Sequence, residues 1–254
     1  MKIALIGGTS GIGRALADAF LARGDELFLT GRAPEEVERI VADLEVRHGV
    51  PVYGAILDGA DVEHRRRVLD NARQRLGGLD GVIVTFGEIG DRQRARTDSA
   101  YARKLHDINY QAPADLLEEA AAYFEANPVR VAPGLSQQPR FLAAIGSVAG
   151  DRGRQSNYHY GAAKAALHSH LQGLRHRMHA VGTRVLTVKP GLIDTPMVFG
   201  RDDLVFVVSA ERAASEIIEA LDKGTNELYT PWFWRWIMLV IRLLPEFIFR
   251  RLKV

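Results

Sequence analysis

Tyr160 and Lys164 stand four residues apart in Tyr160-Gly-Ala-Ala-Lys164, and Ser147 lies thirteen residues upstream of the tyrosine. If the segment is helical, the phenol and the ammonium project from one face. A phenol beside an ammonium is a proton donor whose anion the neighbouring charge stabilises. A hydroxyl such as Ser147 can then hold the carbonyl oxygen that receives the proton. Tyr158 offers a second phenol, but Ala162 stands where its lysine would have to be. Tyr158 is therefore expected at the mouth of the site. A lone Tyr-x-x-x-Lys is a common match, and its meaning depends on what precedes it.

What precedes it is Gly7-Gly8-Thr9-Ser10-Gly11-Ile12-Gly13, placed between an apolar run and a helical pattern. A tight turn with few side chains lets backbone N–H groups and a helix N-terminus approach a pyrophosphate. The bland alternative is a plain glycine-rich turn. At the end of the second apolar run, an acid would bind a ribose 2′-hydroxyl. Thr30-Gly31-Arg32 stands there instead. An Arg32 guanidinium can grip a 2′-phosphate, which favours NADP(H) over NAD(H) without excluding the latter. Alternatively, Arg32 is a solvent-facing loop residue. Asp58, just after the third apolar run, could accept a hydrogen bond from an adenine amino group, or serve as a helix cap or loop acid.

Short apolar runs alternate with amphipathic stretches, the pattern of βα units around a parallel sheet. Strands are expected at 2–6, 26–30, 52–57, 81–85, 141–145, 184–188 and 228–230. Helices are expected at 12–23, 34–47, 62–76, 160–180 and 210–221, with two more over 99–125 broken near Pro113. Residues 88–97 and 127–139 read as loops. The expectation is an α/β fold: one doubly wound Rossmann domain over 1–230, with a mostly parallel seven-stranded sheet and helices on both faces. Residues 231–254 form an apolar aromatic tail, either part of that domain or an interface.

Composition narrows the classes. The 254-residue chain has no cysteine, which excludes disulfides, thiolate nucleophiles and cysteine metal sites. A formal charge of +2 without a stacking platform argues against nucleic acid. The start runs directly into a strand and a glycine loop, without a signal-peptide pattern. A cytoplasmic enzyme is expected, or one peripheral at the membrane inner face.

Taken together, Gly7-x-x-x-Gly11-Ile12-Gly13, Ser147, Tyr160-x-x-x-Lys164 and Pro190-Gly191 occur in an order that resembles the short-chain dehydrogenase/reductase family. The resemblance implies that Tyr160 is the general acid or base, that Lys164 assists it and binds the nicotinamide ribose, and that Ser147 polarises the substrate oxygen. It implies that Asn109 holds a water near the lysine, although a polar residue inside a helix is the ordinary reading. It also implies cofactor contacts from Gly87, Pro190, Gly191, Ile193 and Thr195, with Thr195 at the carboxamide. Two departures stand out. Ile6 replaces a threonine before the glycine motif, and Val84-Thr85-Phe86-Gly87 replaces the usual Asn-Asn-Ala-Gly. The implied activity is reduction of a ketone or oxidation of the secondary alcohol. The alternative is a non-catalytic NADP(H)-binding regulator on the same fold. A homo-oligomer is also implied, with Gly173 and Leu174 on the Tyr160 helix contributing.

The tail from Pro231 to Leu244 holds all three tryptophans and two arginines. It is shorter than the ~20 apolar residues of a membrane span. Three readings are open: packing on the protein's own core or in an oligomer, peripheral contact with a bilayer, and a lid over the substrate. Its residues Tyr229-Thr-Pro, Arg242-Leu-Leu-Pro245 and Ile248-Phe249-Arg250, with Phe86-Gly87 and Gly90-Asp91, resemble a subgroup acting on lipid-linked sugars. That subgroup includes the decaprenylphosphoryl 2-keto-pentose reductase. The resemblance implies a small-molecule or lipid-linked carbonyl substrate.

Overall fold

The apolar runs pair into one seven-stranded parallel sheet among the described residues, ordered β3-β2-β1-β4-β5-β6-β7. The computed structural model describes residues 1–128, 140–196 and 206–252. The strands are β1 (Lys2–Ile6), β2 (Glu26–Gly31), β3 (Val52–Ile56), β4 (Gly81–Val84), β5 (Phe141–Ile145), β6 (Arg184–Pro190) and β7 (Glu227–Thr230). All are parallel, so the expected mostly parallel sheet is wholly so. Ile3, Ala4, Leu5 and Ile6 are all buried. Burial on both faces gives the continuous apolar runs of a parallel sheet.

Helices cover both faces. On one lie α1 (Gly11–Ala22), α2 (Pro34–His48) and α8 (Ala210–Lys223), packing Leu16, Val37 and Ile217 against Leu5, Leu29 and Val188. On the other lie α3 (Val62–Leu76), α6 (Ala112–Ala126) and α7 (Tyr158–His179), packing Val68, Leu117 and Leu171 against Ala4, Val82 and Leu142. Local chemistry sets their ends. Asp61 accepts from the Glu63 and His64 amides at the start of α3, and Ser209 accepts from Arg212 N at the start of α8. Leu174 is buried in its own core, whereas Gly173 has open space around it.

Two elements differ from the sequence expectation. A short helix, α4 (Arg92–Thr97), forms inside the segment read as a loop, capped by Asp91 on the Gln93 and Arg94 amides. The expected break near Pro113 falls earlier. After α5 (Ser99–His106) the chain widens into a single π turn, Asp107–Gln111, and Pro113 sits in the first turn of α6. A proline lacks the N–H for the preceding turn and its ring crowds the carbonyl four residues back. Widening that turn relieves the clash without ending the helix.

The tail packs on this body as α9 (Trp234–Leu243) and α10 (Glu246–Phe249), with Met238 and Phe249 buried. The loop residues 129–139, and the 197–205 part of the loop after Thr195, lie outside the described residues.

Candidate active site

The C-terminal ends of β1 and β4 diverge into separate connections, and a crevice opens at that reversal of strand order. The glycine loop lines it. Gly7 has φ +94°, which favours glycine, and its N–H donates to Thr30 Oγ1 at 3.0 Å. Ser10 N donates to Gly7 O at 3.0 Å, and Ser10 Oγ accepts from Gly13 N at 3.1 Å, starting α1. The Gly11 and Ile12 amides donate to no acceptor among the described residues. Such free amides at a helix N-terminus suit a phosphate. A Cβ on Gly11 would fall 2.6 Å from Thr195 Cγ2, so the loop after β6 closes directly over α1. The cradle thus fits a dinucleotide.

The two departures compensate each other. Ile6 is fully buried and offers no polar contact, but Thr85 Oγ1 donates to Gly7 O at 2.8 Å and lies 3.3 Å from Ser10 Oγ. The threonine after β4 thereby supplies the bond that the residue before Gly7 lacks. Phe86 turns its ring toward Gly59, where an added Cβ would come within 3.1 Å of it.

Arg32 lies exposed at the end of β2, without a hydrogen-bond or ion-pair partner among the described residues. Asp58 is exposed and closes its own turn, accepting from Ala60 N at 3.0 Å. Sequence reading missed Arg14. Its Nε donates to Thr9 O at 3.2 Å, its guanidinium pairs with Glu36, and a Cβ on Gly31 would run into Thr9 Cγ2. Arg14 therefore stands beside the end of β2, and a basic residue directly after Gly13 was the available signal.

The catalytic candidates converge from three elements. Tyr160 and Lys164 come from α7, Ser147 caps the single 3-10 turn after β5, and Asn109 comes from the π turn. Lys164 Nζ donates to Ile145 O at 2.9 Å and lies 5.8 Å from the Tyr160 ring centre. Gly87 is pressed between two of these groups, since a Cβ there would lie 2.9 Å from Asn109 Oδ1 and 3.1 Å from Lys164 Nζ. Asn109 is fully buried and spends its amide on backbone: Oδ1 accepts from Glu88 N, while Nδ2 donates to Glu88 O at 2.7 Å and Leu105 O at 2.8 Å. It fastens the loop after β4 to the π turn beside the lysine.

Burial sets the electrostatics. Desolvation holds the Lys164 ammonium at about 7, far below its ordinary value. It also pushes the Tyr160 phenol up, opposed by a hydrogen bond with Ser147. A shallow cleft opens against Tyr160, walled by Ile89, Leu105 and Tyr158 and edged by Arg92 and Arg96. Tyr158 thus stands at the mouth, half exposed, and the Arg96 guanidinium lies 5.8 Å from its ring centre.

The tail adjoins the same site. The Trp234 indole rests on Gly191, where a Cβ would come 1.9 Å from its Nε1. Arg152 donates to the carbonyls of Ile241 and Leu244 at the end of α9, pairs with Glu246 at 2.9 Å and stacks on Phe249.

The sequence pattern of short chain dehydrogenases matches residues 2–203. An uncharacterized oxidoreductase of Mycobacterium tuberculosis is 32% identical over 250 residues, covering 98% of this chain and 96% of that protein. One from Streptomyces coelicolor is 30% identical over 256 residues, covering 100% of this chain and 96% of its own length. Among solved structures, a short chain dehydrogenase of Burkholderia cenocepacia in complex with NADP superposes with a TM-score of 0.78 at 21% identity, covering 99% of this chain and 97% of that one.

Proposed function

The chain belongs to the short-chain dehydrogenase family of oxidoreductases, and on that premise we propose that it is an NADP(H)-dependent ketone reductase with Tyr160 as its proton donor. The observation that carries the reading is the convergence of Ser147 with the buried Tyr160 and Lys164 beside a glycine cradle, with a cleft lined by Tyr160. A bound nicotinamide supplies the hydride. Ser147 Oγ orients the substrate oxygen, and Tyr160 Oη donates a proton to it. A phenol raised by burial keeps its proton until the alkoxide develops, which suits an acid. Lys164 Nζ, anchored by Ile145 O, stabilises the phenolate left behind. The reverse alcohol oxidation uses the same groups.

Arg32 at the end of β2, unpaired among the described residues, with Arg14 near it, supports the NADP(H) preference, as does the NADP held by the Burkholderia structure. NADPH oxidation should be followed with a panel of ketones. Tyr160→Phe should abolish turnover while NADPH still binds. Activity like that of wild type in this variant would remove Tyr160 from the reaction.

The substrate reading is an amphipathic or lipid-linked ketone drawn from an anionic bilayer surface. The cleft combines apolar walls with Arg92 and Arg96. On the tail, Trp236, Leu239, Val240 and Leu243 follow helical spacing and all point outward, 59% and 74% exposed at the two ends of the stripe. Arg235, Arg242, Arg250 and Arg251 are exposed around them, and the nearby Glu246 is already paired with Arg152. An apolar stripe ringed by cations matches anionic headgroups over an acyl boundary. No described helix is long and apolar enough to cross a membrane. Removing the tail would open the core at Met238, so the test uses Trp236→Glu with Leu243→Glu. Wild type should float with liposomes containing phosphatidylglycerol, and the double variant should not. Equal flotation, or a dimer lost in the variant without any flotation, would exclude the bilayer.

A further inference from the structure

Behind Ser147 lies a buried polar cluster that the proposed reaction does not use. His168, one turn beyond Lys164 on α7, is 5% exposed. Its Nε2 accepts the backbone N–H of Ser147 at 3.3 Å. Its Nδ1 lies 3.5 Å from Asp151 Oδ1. Asp151, whose side chain is 3% exposed, also meets Lys189 Nζ of β6 at 3.1 Å and accepts from Tyr229 Oη of β7 at 2.6 Å. Lys189 pairs in turn with Glu227 at 3.1 Å. An imidazole that accepts at Nε2 carries its proton on Nδ1, and the carboxylate fixes that tautomer.

The backbone around the serine is shaped to this ring. A Cβ on Gly146 would lie 2.3 Å from His168 Nε2, and one on Gly150 would lie 2.7 Å from Cε1. The turn that presents Ser147 therefore wraps an imidazole between two glycines.

We propose that His168 is a positioning residue for Ser147, held in one tautomer by Asp151, so that the Lys189, Tyr229 and Asp151 cluster sets where the serine hydroxyl sits. This rests on Ser147 orienting the substrate oxygen. The charged groups facing the imidazole are Asp151 from the turn after Ser147, Lys164 from its own helix and Lys189 from β6, with Tyr229 and Glu227 behind Lys189. Burial keeps His168 neutral to below its usual range. When it does protonate, Nε2 becomes a donor, the Ser147 amide loses its acceptor, and the serine shifts.

Two variants separate positioning from bulk. Glutamine can place an acceptor where Nε2 stood, and leucine cannot. With the ketone that wild type reduces fastest, His168→Leu should lose about tenfold in kcat, the size of one forfeited buried hydrogen bond, with NADPH affinity unchanged. His168→Gln should recover most of kcat and lack the acid-side decline expected of wild type below the usual imidazole range. The Ser147 amide proton resonance should titrate in wild type over that range and stay fixed in His168→Gln. If Leu and Gln are impaired equally, or if the acid limb and the amide titration persist in His168→Gln, the inference fails. The amide titration is independent of turnover. A wild type that reduces no ketone yet shows the titration would count against the proposed function alone.

Discussion

Lys164 should make the folded protein weaker below neutrality than above it, and the size of the effect follows from its burial. Its side chain is 2% exposed, has one backbone acceptor, and titrates at about 7 against an ordinary 10.5. The unfolded chain therefore holds this proton up to 10.5, whereas the folded chain releases it near 7. Wild-type stability gains from this group as the pH rises between those values, and the full penalty is present below 7. At 1.36 kcal/mol per unit the penalty is roughly 5 kcal/mol at pH 6 and about 2 kcal/mol at pH 9. Lys164→Met removes it at every pH and loses the Ile145 hydrogen bond, about 1 kcal/mol, at every pH. Urea denaturation of both proteins should show the variant more stable at pH 6, with its advantage shrinking by about 3 kcal/mol at pH 9. Turnover should be lost throughout. An advantage that is independent of pH, or that grows as the pH rises, would refute a charge held against its desolvation cost.

Two further outcomes follow from the geometry. Arg32→Ala should weaken NADPH binding roughly 10- to 100-fold and NADH binding little, the loss of a charge-assisted phosphate contact, whereas Arg14→Ala should do less because Arg14 is already paired with Glu36; equal losses for the two cofactors, by fluorescence titration, would remove Arg32 from that role. Gly191→Ala should cost about 1–3 kcal/mol by driving a methyl into the Trp234 indole, and adding Trp234→Ala should relieve much of that cost; strictly additive losses in urea denaturation would mean that the contact is not felt.

Much of the fold and the core of the site could be read from the chain because their signals are local. The glycine loop between an apolar run and a helical pattern and the βα alternation are read from runs of a few residues, and the tyrosine and lysine four residues apart from the 3.6-residue helical period. A helix places Tyr160 and Lys164 on one face whatever surrounds it. The short α4 helix was hidden because six residues, three of them arginine and only one apolar, carry no apolar period. The π turn was hidden because Pro113 announces a disturbance without saying where the helix will absorb it.

The environment of those residues was not local and could not be read. Lys164 falls to about 7 because β5 and the loop after β4 close around it. Thr85 stands in for the residue that Ile6 displaced because two parallel strands end side by side. His168 gave no signal as one of eight histidines; only the meeting of β5, β6, β7 and α7 gives its ring Ser147 on one side and Asp151 on the other. The tail read as an apolar helix with two arginines on one face, and only docking against Gly191 and Arg152 separates a covered apolar face from an open one. The sequence by itself determined which groups could take part in the chemistry, since residue type and helical period are written within a few positions. Tertiary structure decided how strongly each is charged and held, since desolvation and hydrogen bonding depend on strand ends far apart in the chain.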